Sequence, residues 1–122
     1  MSDEFLNVAR EEVKTEIEGL KHIFLICTDD KQLYTKSRDI EKHMHKIKGL
    51  APMMGQDRIG EIAGICDTIL KYVTNHNILK DSHEIIFEAV RKMSDIFDGQ
   101  VNIEVDDFRK KVKELFPDIL GI

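Results

Sequence analysis

Five apolar stripes with three- and four-residue spacing follow one another along this chain, and the polar breaks between them are short. From Ser2 to about Thr28, the residues Phe5, Ala9, Val13, Ile17, Leu20, Phe24 and Cys27 recur at the period of one helix face. After Thr28-Asp29-Asp30-Lys31, a second stripe runs through Leu33, Ser37, Ile40, Met44, Ile47 and Ala51. Pro52 and Gly55 mark its end, because proline lacks the amide hydrogen that a helix interior needs and glycine readily takes the left-handed closing conformation. Ile59, Ile62, Ala63, Cys66, Ile69, Leu70 and Val73 form the third stripe, ended by Thr74-Asn75-His76-Asn77. Asp81-Ser82-His83-Glu84 reads as a capping box that opens a fourth helix, with Ile86, Ala89, Val90, Met93 and Phe97 inward and Asp98-Gly99 at its close. A fifth helix begins near Val105 or Asp106 and presents Phe108, Val112, Leu115 and Ile119, with Pro117 expected to break it.

Each stripe must be covered by other helices, and connections of a few residues make sequential helices antiparallel neighbours. The expected fold is therefore all-α: an up-and-down four-helix bundle with one additional helix, packed outside or extending one end, as a single domain over residues 1–122. That length buries a core without disulfide or metal staples. Cys27 and Cys66 fall on apolar faces and are expected as buried thiols. The longest clean apolar run, Ile23-Phe24-Leu25-Ile26-Cys27, is too short to span a bilayer, and Met1-Ser2-Asp3-Glu4 does not look like a secretory signal. A cytoplasmic monomer is expected. The net charge of −5 argues against broad binding to nucleic acid or anionic membrane, so a protein is the expected partner.

The second helix carries the stretch His43-Met44-His45-Lys46-Ile47-Lys48-Gly49. Successive helical residues turn by ~100°, which sets the core direction on Met44 and leaves His45 at the boundary with solvent. Lys48 and Gly49 are its neighbours one turn on. Glycine inside a helix costs roughly 1 kcal/mol relative to alanine, so Gly49 calls for a reason, and steric access beside the imidazole is one. Lys48, with Arg38, Lys42 and Lys46 nearby, brings positive charge suited to a dianion on His45. His45 stands ten residues before Gly55 and Asp67 twelve after it, so an antiparallel pair brings them to nearly the same height on matching flanks. A carboxylate on one ring nitrogen would leave the other as a nucleophile. Gly60 and Gly64 share that flank and are expected to permit tight helix approach. His43 and His45 point away from each other and cannot chelate one ion, and the chain has no Glu-x-x-His pair. Neither a metal nor a cofactor is expected.

A histidine followed by a lysine at three, glycines at four and ten, and a carboxylate at twenty-two resembles the histidine-containing phosphotransfer family. The five-helix pattern is most similar to the amino-terminal phosphotransfer domain of chemotaxis sensor histidine kinases. The resemblance implies that His45 accepts a phosphoryl group, Lys48 stabilises it, Gly49 keeps space clear and Asp67 orients the ring, directly or through water. Those domains usually have a glutamate where this chain has Asp67. The implied partners are a response-regulator receiver domain and a histidine kinase catalytic domain, with docking near Met53 and Met54. The chain lacks the nucleotide-binding boxes of a kinase and is not expected to be an enzyme in its own right. A helical adaptor without chemistry is the alternative. His22, His76 and His83 lie outside the constellation and are expected as surface or cap residues.

Overall fold

The computed structural model describes residues 2–120 and contains, among them, helices and no strand. Five α-helices run in order: α1 Asp3–Ile23, α2 Asp30–Leu50, α3 Asp57–Asn75, α4 Ser82–Phe97 and α5 Val105–Leu115, with a 3-10 turn Pro52–Met54 between α2 and α3. α1 and α2 start as their sequences dictate. The Ser2 hydroxyl accepts from the Phe5 amide at 3.1 Å, and the Asp29 carboxylate accepts from the Gln32 amide at 2.8 Å, each satisfying an amide that has no partner within the helix.

Four features at the helix ends depart from expectation. α1 stops at Ile23, not near Thr28. The Leu25 and Ile26 amides bond to His22 and Ile23 carbonyls three residues back, a tighter winding that keeps Phe24 and Cys27 buried while turning Leu25 and Ile26 outward. The expected capping box at α4 does not form. Asp81 sits in the left-handed region, with φ 70°, and its side chain caps nothing. The Asp30 carboxylate of α2 takes its place, accepting from the Asp81 amide at 2.9 Å and the His83 amide at 2.8 Å. At the far end, Leu115 is exposed and Phe116 takes the buried place expected of it. Pro117 disfavours helical geometry in the residue before it, so Phe116 leaves the helix and swings inward. At the other end of the stripe pattern, Phe5 is exposed, and Ala9 is the first buried residue of α1.

α1 to α4 enclose one apolar core, and α2 against α3 is the most extensive helix contact. α5 lies outside this bundle with Val105, Phe108 and Val112 inward. Arg109 pairs with Glu61 of α3 at 3.0 Å and Lys111 with Glu88 of α4 at 2.7 Å, which places α5 across both helices. Arg58 pins the connection before α5 by donating to the carbonyls of Gln100, Val101 and Ile103. Cys27 and Cys66 are buried free thiols whose pKa burial pushes up. Among the described residues, no helix is long and apolar enough to cross a membrane.

Candidate functional site

The turn between α2 and α3 sets the register of the site. Gly55 closes the 3-10 turn in the left-handed region, with φ 78°, where a side chain would be strained. The Pro52 ring rests on Gly60, so closely that a Cβ there would lie 2.7 Å from Pro52 Cγ. Tight approach occurs at Gly60 and not at Gly64, where a Cβ would meet the Lys48 stem at an ordinary 3.5 Å.

This register brings His45 opposite Asp67. His45 Nδ1 lies 3.5 Å from Asp67 Oδ2, an ion-pair separation at the outer edge of hydrogen bonding. The histidine side chain is 62% exposed and the aspartate 2%, so a solvated ring leans on a buried charge. Such a carboxylate favours the proton on Nδ1 and leaves the Nε2 lone pair free. Lys48 Nζ stands 3.0 Å from the same Oδ2, and Lys71 Nζ 3.1 Å from it on the adjacent turn of α3. Beside Gly49, a Cβ would meet nothing within 4 Å, so the space along the ring is open.

Two members of this cluster were not picked out from sequence. Lys71 follows Asp67 by four residues, an i,i+4 signal that was present. Glu41 precedes His45 by one turn, and its role depends on α3. Burial alone would raise the Asp67 pKa, but its contacts with Glu41, Lys48 and Lys71 outweigh it and hold the carboxyl at about 2. Glu41 is pushed up, first by its contact with the Asp67 carboxylate, then by burial and by the Asp67 charge. Asp67 Oδ1 itself is buried and has no hydrogen-bond partner. One donor atom each from Glu41, His45 and Asp67 lies within 4.8 Å of the others, close enough to consider a metal ion.

The remaining histidines go elsewhere. His43 Nδ1 bonds to the buried Glu16 of α1 at 2.9 Å, and its ring lies against Gly19, where a Cβ would come within 2.7 Å. His43 and His45 therefore serve opposite neighbours. His83 Nε2 donates to the Cys27 carbonyl at 2.8 Å and stacks with Phe87, more deeply built in than a surface residue. His76 stacks on Tyr72 with centroids 3.9 Å apart, and His22 is exposed. Arg38, Lys42 and Lys46 are exposed along α2, as is Met53, while Met54 is half-buried.

A largely exposed imidazole that leans through one nitrogen on a carboxylate holding two ammonium groups can act as a nucleophile toward an anionic electrophile. Compared with family models, with curated proteins and with solved structures, the chain has no match in any of the three.

Proposed function

We propose that this bundle is a histidine phosphotransfer module, which takes a phosphoryl group on His45 and passes it to a receiver-domain aspartate. One observation carries the reading: a largely exposed His45 turns Nδ1 to a buried carboxylate that also holds Lys48 and Lys71. In the accepting direction, Nε2 forms a bond to phosphorus as the P–O bond of the partner's aspartyl phosphate breaks, and the partner's carboxylate leaves with the electron pair. Nδ1 keeps its proton, so the ring gains a positive charge that Asp67 offsets. The lysines draw in the dianion and stabilise charge on the transferring group. The open space beside Gly49 gives the partner's active site room to approach. The chemotaxis setting and a cytoplasmic location belong to this reading, which rests on the His45 constellation and the five-helix order.

Incubation with a phosphorylated receiver, or with a chemotaxis kinase core and ATP, followed by intact mass measurement, tests it. One phosphoryl group is expected, labile in acid and persistent in alkali, and absent from His45→Gln. A His45→Gln protein phosphorylated at the wild-type rate removes the proposal and leaves the adaptor alternative.

A further inference from the structure

We propose that Glu41, His45 and Asp67 form a binding site for a divalent transition-metal ion of the zinc type, bridging α2 and α3. The trio is the one group of three such side chains among the described residues whose donor atoms converge, all within 4.8 Å. Ligand atoms around tetrahedral zinc sit about 3.3–3.6 Å apart, so the trio must close by roughly 1 Å. The half-buried Glu41 and the exposed His45 can move that far, while Asp67 is held in place by Lys48 and Lys71.

A second feature points to a ligand independently. The Asp67 side chain is 2% exposed, and its Oδ1 is buried without a hydrogen-bond partner. A buried carboxylate oxygen without a partner is costly, and an ion bound by this carboxylate would offset that cost. One imidazole and two carboxylates suit zinc, cobalt or manganese rather than an ion that demands oxygen alone, and water completes the shell. Lys48 and Lys71 oppose the ion by charge, so affinity is modest.

Binding has a consequence for the phosphotransfer reading, and this part of the inference rests on that reading. A neutral imidazole has one N–H and one lone pair. An ion on Nδ1 takes the lone pair there and sends the proton to Nε2. The nitrogen that should attack phosphorus then has nothing to attack with, so the metal-bound protein is unable to accept a phosphoryl group.

The test is zinc titration of the metal-free full chain by calorimetry, with His45→Gln, Glu41→Gln and, as a surface-histidine control, His22→Gln. One ion is expected per wild-type chain and per His22→Gln chain, with affinity at least tenfold lower in the other two variants. Both substituted side chains reach solvent, and thermal melts verify that the variants are folded. Cobalt in place of zinc should give a visible d–d absorption that both site variants lose. No zinc binding by the wild type, or equal binding by Glu41→Gln and His45→Gln, overturns the site. Saturating zinc should also suppress phosphorylation of the wild type and suppress it far less in Glu41→Gln. If zinc binds through the trio but no phosphoryl is accepted with or without metal, the site stands and the phosphotransfer proposal fails. If zinc binds through the trio and phosphorylation proceeds unchanged, the inhibitory part of the inference fails.

Discussion

Two lysines share one oxygen of Asp67, so neither is the sole counter-ion of the buried carboxylate. Removing either leaves the other to hold Asp67. Under the phosphotransfer reading, Lys48→Ala and Lys71→Ala should each slow phosphorylation several-fold, and the double variant should lose more than the product of the single effects. Single-turnover transfer from a phosphorylated receiver measures this. The acid side of stability has a worked sign. Asp67 falls from its ordinary 3.8 to about 2 on folding, so its contribution is present above the unfolded value and is lost as pH drops from about 4 to about 2. Glu41 is raised, so its contribution is present below its ordinary 4.5 and is lost as pH rises through the folded value. Glu41→Gln, a permanently neutral donor beside Asp67, should therefore raise the melting temperature at neutral pH in the presence of a chelator, and Asp67→Asn should flatten the acid limb. His45, Lys48, Gly49 and Asp67 were legible because helical spacing and distance from one turn determine where they meet. Glu41 was not, because its meaning lies in a carboxylate on another helix.

Helix existence was legible from periodicity, and helix ends were legible only where the ending chemistry is local. Asp29 and the Pro52-to-Gly55 turn carry their signals in neighbouring residues, and both behave accordingly. The α4 cap does not, since its carboxylate comes from a residue 51 positions earlier, which no local pattern contains. The end of α1 was hidden by the apolar run Ile23 to Cys27, whose composition suits a continuing helix as well as a turn with two residues exposed. Gly60 is a case where residue type mattered for a reason visible only in the packing. Gly60→Ala gains helix propensity but drives a Cβ into the rigid Pro52 ring, and overpacking of this kind typically costs about 1–3 kcal/mol. The substitution should lower stability in urea, by the midpoint shift at unchanged slope, and if it stabilises instead, the proline contact does not set the α2–α3 register.

At the scale of the whole molecule, α5 covers parts of α3 and α4, while the flank of α2 and α3 around His45 remains open to a partner. Under the phosphotransfer reading, a receiver domain should therefore perturb amide shifts around His45, Arg38, Lys42, Lys46, Met53 and Met54, and leave α4 and α5 largely unchanged. Perturbations clustered on α5 would place the docking face elsewhere. The all-helical architecture was legible because every stripe needs a partner; the placement of α5 was not, because its stripe could have met either an end or a side. The Asp30 cap also bears on the order in which the chain assembles. The first turn of α4 lacks a local cap and receives one only after α2 has arrived beside it, so the two helix starts are fastened late and together. Asp30→Ala should cost about 1–2 kcal/mol, as lost caps do, and that loss should surface as faster unfolding with nearly unchanged refolding. The carboxylate would then act as a latch on an already assembled bundle, setting how long the native state persists rather than how quickly it is found.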